Sequence, residues 1–147
     1  MFSARKLMSL CVFALFAALS LQASAQLADK KVLTLDGARK VAAAAEAEAK
    51  KNNWNVVIVV VDDGDDHVPV VIDKARTAQA FKRPTKVFED AIAGGRNAIL
   101  GLNGALPLEG GLPIVVGGQL VGAIGVSGVT APQDGQIAKA GADSLGN

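Results

Sequence analysis

The 147-residue chain carries 15 basic and 14 acidic side chains, one histidine and one cysteine. That near-balance lacks the basic excess of a nucleic-acid binder, and one cysteine excludes an internal disulfide. A single histidine, with no Gly-x-Ser-x-Gly elbow and no phosphate-loop lysine, leaves no familiar catalytic set assembled.

The chain opens with Arg5 and Lys6, an apolar run from Leu7 to Leu21, and Ala23-Ser24-Ala25 before Gln26. This is the pattern of a secretory signal peptide over residues 1–25, cleaved after Ala25, and no later stretch is long and apolar enough to anchor in a membrane. Cys11 lies inside the apolar run, so the exported chain has none. Losing Arg5 and Lys6 leaves 13 of the 15 basic residues against the same 14 acidic ones, a net charge near −1. A periplasmic or secreted protein, residues 26–147, is expected.

Thr34 reads as an N-cap, with Asp36 in the first turn of a helix. Leu35, Ala38, Ala42, Ala45 and Ala49 give it an alanine face, and Lys50-Lys51 followed by Asn52-Asn53 end it. Val56 to Val61 is an unbroken aliphatic run, expected to form a central strand buried on both faces. An acidic turn, Asp62-Asp63-Gly64-Asp65-Asp66-His67, follows. The spacing predicts a helix over 70–82 with Val71, Ala75, Ala78 and Phe81 on one side, ended by Pro84. Thr85 can cap another helix, carrying Val87, Phe88, Ala91 and Ile92 and stopping at Gly94-Gly95. Residues 96–108 read as a loop with one short strand. Two strands then flank Gly117-Gly118, a pair suited to a tight primed turn. That spacing sets Val116 opposite Gln119, Ile114 opposite Val121 and Leu112 opposite Ala123. Gly122 and Gly125 within the second strand point to close approach of another backbone. Both faces of this hairpin are apolar, so helices, a second subunit or a flat apolar ligand should cover them. A last helix runs from Gln133 to Leu145, with Ile137, Ala138 and Ala142 inward.

His67 is a candidate metal ligand, since imidazole suits haem iron and other transition metals. The ordinary alternative is a solvated turn histidine. Between Lys74 and Arg96 the basic residues Lys74, Arg76, Lys82, Arg83, Lys86 and Arg96 outnumber Asp73, Glu89 and Asp90. Guanidinium groups match carboxylates, so Arg83 and Arg96, at helix boundaries, are the candidates to touch an anionic ligand such as a haem propionate. Solvated helix faces account for most of the rest.

Several pieces then join in order. They are Leu33-Thr34-Leu35, Val59-Val60-Val61-Asp62, Lys74-Ala75-Arg76-Thr77-Ala78, Arg83-Pro84-Thr85, Gly110-Gly111-Leu112-Pro113-Ile114 and Gly122-Ala123-Ile124-Gly125-Val126-Ser127-Gly128. Together they resemble the GlcG/HbpS family of haem-binding proteins, related to the C-terminal domain of PduO, over nearly all of residues 26–147. The resemblance implies a single α/β domain with a mainly antiparallel sheet flanked by helices, and assembly as a homo-oligomer. It implies haem as the ligand of some members and corrinoid or iron for relatives, with no catalytic residues. His67 falls where the family has a Gly-Gly-His turn, with the glycines largely replaced by aspartate. Members usually continue into a second strand before the Lys-Ala-Arg-Thr-Ala helix, and here six residues separate His67 from Lys74, too few for that strand and its turn.

The missing strand favours helices on one face of the hairpin and a neighbouring subunit on the other. The expected function is an exported, non-catalytic haem-binding carrier, store or sensor accessory. A structural or interaction module that has lost its ligand, a corrinoid- or iron-binding accessory protein, and an enzyme acting on a small hydroxy acid or corrinoid are the alternatives.

Overall fold

The computed structural model describes residues 30–62 and 70–145. The signal-peptide residues 1–25 and His67, with its acidic turn from Asp63, lie outside them.

Helix α1 (Leu35–Lys51) starts where Thr34 Oγ1 accepts from the Gly37 N–H at 3.1 Å, with Asp36 at its positive end and Lys50 and Lys51 at its negative end. Asn52 caps it, and Asn53, at φ +56°, turns the chain away. The buried stripe is Val41, Ala45 and Ala49. Leu35, expected inward, is exposed. It lies six residues before Val41, which puts it about 120° round the helix from that stripe.

Strand β1 (Val57–Val61) follows, then α2 (Val70–Phe81), α3 (Lys86–Ala93), a 3₁₀ turn (Asn97–Gly101), β2 (Gly111–Val116), β3 (Gln119–Ser127) and α4 (Ala131–Asp143). No strand lies between β1 and α2 among the described residues. The short strand expected within 96–108 is instead the 3₁₀ turn, which buries Ile99 alone. The glycines and the proline of that stretch leave no run long enough to pair.

The sheet is antiparallel in the order β1-β3-β2. The aliphatic run of β1 is therefore an edge strand, not the central strand expected, and Val57 is 58% exposed. The nine-residue β3 takes the centre because it pairs on both sides, Val57 with Ser127 through Val61 with Ala123 on one, and Gly111 with Gly125 through Val116 with Gln119 on the other.

Gly117 and Gly118, at φ +58° and +76°, make the primed turn. The register past it differs from simple alternation. A bulge places Val115 opposite Leu120 but Ile114 opposite Gly122 and Leu112 opposite Ile124, leaving Val121 as the extra residue. The shift carries Val121, Ile124 and Val126 into one core with Ile114, Val41, Ala45, Ile137 and Ala138, between the sheet and helices α1 and α4. Ala123 turns to the other face, where it packs with Val61, Ala75 and Ala78 of α2.

Helices thus cover both faces of the hairpin, where helices on one face and a neighbouring subunit on the other were expected. The approach is close: a methyl on Gly125 would overlap the Val71 carbonyl oxygen, and one on Gly111 the Lys74 carbonyl oxygen. A methyl on Gly122 would likewise crowd the Val61 carbonyl oxygen, at 2.5 Å.

Candidate functional site

Arg83 and Arg96 stand at opposite ends of α3, separated by a helix about 12 Å long. The structure does not bring them together. Arg83 follows Lys82, whose φ of +55° turns the chain between α2 and α3. Its Nε donates to the Phe81 carbonyl at 3.2 Å, and its guanidinium lies 5.9 Å from the centre of the Phe88 ring, itself edge-on to Phe81. This is a cation–π clamp on the α2–α3 corner. Arg96 is exposed, and its backbone N–H donates to the Ala91 carbonyl at 2.8 Å as α3 ends.

A concavity lies at the hairpin. A cleft of about 780 Å³ is lined by Leu112, Pro113, Val115, Val116, Gly117 and Gly118, with Pro84 on one wall and Ala142, Asp143 and Leu145 on another. Lys31 closes one end. Its backbone N–H donates to Gln119 Oε1 at 3.2 Å, and its ammonium lies where a side chain on Gly117 would project. The cleft combines an apolar wall with one cation and one carboxylate at its rim, and Pro84 ties it to the Arg83 corner.

At the other end of the sheet, Lys74 is buried. Its Nζ donates to Asp134 Oδ2 and to the Val126 carbonyl, both at 2.9 Å. Asp134 Oδ1 accepts from the Val129 N–H at 3.2 Å. The pair joins α2, β3 and α4 and exposes neither charge, so its part is structural.

Residues 33–143 match the family described as "Haem degrading protein HbpS-like". The chain belongs to this HbpS-like family. It is 44% identical over 111 residues to Protein GlcG of Escherichia coli K12, an alignment covering 67% of this chain and 83% of that protein. Its fold is similar to the crystal structure of a double mutant of HbpS from Streptomyces reticuli, with TM-score 0.66 and 33% identity over 84% of this chain and 93% of that one. It is similar also to the crystal structure of a PduOC:haem complex, with TM-score 0.64 and 23% identity over 78% and 96% of the two chains, a likeness of fold.

Within this HbpS-like chain, the Lys74-Ala75-Arg76-Thr77-Ala78 segment is a packing device. Ala75 and Ala78 meet the sheet, Lys74 makes the buried pair, and Thr77 Oγ1 accepts from the Leu106 N–H at 2.8 Å and donates to the Gly104 carbonyl at 3.2 Å. Charge count alone put Lys74 on a solvated face. The signal that places it inside is its spacing, one residue before Ala75 and three after Val71 on the inward stripe. Glu109 is a half-buried carboxylate. Burial raises its carboxyl above the usual range, with Lys86 at 3.8 Å opposing and Glu89 and Asp90 reinforcing. Its N–H donates to Glu89 Oε2 at 2.6 Å.

Proposed function

We propose that the chain binds haem as an exported, non-catalytic carrier, store or sensor accessory, working as a homo-oligomer in the periplasm or outside the cell. The observation that carries the reading is the HbpS-like match across 33–143, and the haem complex of a protein sharing the fold supports it. The hairpin cleft fits the organic part of such a ligand. Its volume of about 780 Å³ lies within the range of small-molecule sites, its apolar lining suits a macrocycle, and Lys31 suits a propionate.

The cleft's described lining holds no histidine, cysteine or methionine to take the iron. His67, the chain's one histidine, is the residue proposed for that role, with Arg83 and Arg96 as secondary anion contacts. Haem, when bound, supplies the redox and ligand-sensing chemistry of its iron. Export rests on the pattern of residues 1–25, and a homo-oligomer would cover the edge that β1 exposes. Corrinoid or free iron are the alternative ligands.

Titrating the purified protein with hemin should give a saturable Soret shift, weakened by His67→Ala, and mass spectrometry of the exported protein should find a chain starting at Gln26. The absence of a saturable shift would overturn the haem reading and leave an interaction module of the same fold. The family description favours one second reading, haem degradation. A Soret band that forms and then decays under reductant, instead of persisting, would replace the carrier with that activity.

A further inference from the structure

The two edges of the sheet are finished differently. The Val126 N–H donates to the Gly110 carbonyl at 2.9 Å, so the backbone groups of Val126 face the β2 side of β3. Hydrogen-bonded and non-hydrogen-bonded pairs alternate along an antiparallel ladder. Ala123, Gly125 and Ser127 therefore bond across to Val61, Val59 and Val57, and the N–H and C=O groups of Ile58 and Val60 point out of the sheet.

Along β2 the same alternation turns Gly111 and Pro113 outward. Both groups of Gly111 are taken by Thr85, whose Oγ1 accepts from the Gly111 N–H at 3.0 Å and whose N–H donates to the Gly111 carbonyl at 2.9 Å. Pro113 has no N–H to offer, which blunts the rest of that edge. On β1, among the described residues, nothing meets the outward groups of Ile58 and Val60. The strand, Val-Ile-Val-Val-Val, also lacks the proline or charge by which edges resist pairing.

We propose that the β1 edge is an interface between two copies of this chain, β1 pairing antiparallel with β1 of the second copy about a two-fold axis through Val59. The proposal rests on the homo-oligomer reading and names its surface. Full overlap of the two strands sets Ile58 of each copy opposite Val60 of the other. Both residues face outward, so each such pair exchanges two hydrogen bonds, and all four outward groups of each copy are met. The same register brings Val57, 58% exposed, beside Val61 of the second copy, on the face that α2 covers. Two three-stranded sheets become one of six strands. A second copy suits this edge because one strand supplies both partners in register, the isologous arrangement of a two-fold dimer. An uncharged aliphatic strand gives a foreign charged peptide nothing to select.

The test combines light scattering with amide hydrogen exchange, read by NMR, on the purified protein. In the dimer the Ile58 and Val60 amides should exchange at least about tenfold more slowly than open amides do. Val60→Pro removes an outward donor and no bond of the sheet, so it should halve the mass at concentrations where the parent is dimeric. Val57→Lys, at an exposed position, tests the edge even where the proline variant fails to fold. It should weaken dimerisation about tenfold and free the Ile58 and Val60 amides, while Val59, bonded within the sheet, stays protected. Ile58 and Val60 amides that exchange freely in an oligomer, or a folded Val60→Pro of undiminished mass, assign the assembly to another surface and overturn this proposal alone. A chain that is monomeric at every concentration overturns the homo-oligomer reading with it. Neither result bears on haem, which the hemin titration decides separately.

Discussion

Gly125 lets α2 lie directly on the sheet, because any side chain there would meet the Val71 carbonyl and the Ala75 backbone. Gly118 has open space around it but a φ of +76°. The two glycines therefore answer to different physics, overpacking at one and conformation at the other. Gly125→Ala should destabilise by about 3 kcal/mol in urea unfolding, from overpacking between helix and sheet. Gly118→Ala should cost about 1 kcal/mol, from the left-handed conformation. Equal losses would mean that α2 yields freely. Glu109 gives a pH-dependent case. Burial holds its carboxyl above the ordinary value of 4.5, so the folded state keeps this proton to higher pH than the unfolded state does. Its contribution to stability is present below the ordinary value and is lost as pH rises through the raised one. Glu109→Gln cannot lose that proton. Its unfolding free energy relative to the parent should therefore rise between about pH 4 and pH 7, and a difference that stays flat would contradict the assignment.

At the level of elements, Thr85 does something other than the capping its position suggests. It stands at the start of α3 without capping it. Its hydroxyl accepts from the Gly111 N–H at 3.0 Å, and its own N–H donates to the Gly111 carbonyl at 2.9 Å, which fixes α3 to the first residue of β2. Thr85→Val keeps the shape and leaves a buried N–H without its acceptor, so it should cost about 1–3 kcal/mol. Hydrogen exchange at the Gly111 amide should accelerate accordingly, and an unchanged rate would show that the side chain is dispensable. Much of the fold was legible in this way from short-range signals: Thr34 before α1, Asn52 and Asn53 after it, the Gly117-Gly118 turn, and the close approaches that Gly122 and Gly125 permit. What depends on distant parts of the chain was not. The sequence of β1 looks central because it is uniformly aliphatic, yet edge or centre is decided by which strand pairs twice. The Val121 bulge leaves no trace in alternation, and the burial of Lys74 requires a partner 60 residues away. For the candidate site, the hairpin was recognisable as an apolar surface. The cleft beside it was not, because α4, Pro84 and Lys31 come from three separate stretches of the chain.

For the molecule as a whole, the three-stranded sheet sits between α2 on one face and α1 with α4 on the other, and the Lys74–Asp134 pair joins the two layers. Lys74 reaches from α2 past the end of β3 to a carboxylate in the first turn of α4, where the helix dipole also favours negative charge. Both side chains are almost fully enclosed, and their hydrogen-bonding groups are met by the Val126 carbonyl and the Val129 N–H. Removing one partner leaves a buried charge with nothing to balance it. Lys74→Ala should therefore lower unfolding free energy by about 3–5 kcal/mol, a large share of the roughly 5–15 kcal/mol typical of a folded domain. Replacing both charges with apolar groups of similar volume, Lys74→Met with Asp134→Leu, removes the desolvation penalty together with the attraction. The double variant should recover most of that loss in urea unfolding. If it is as unstable as Lys74→Ala, then the hydrogen bonds to Val126 and Val129, and not the balance of charge, hold the two layers together.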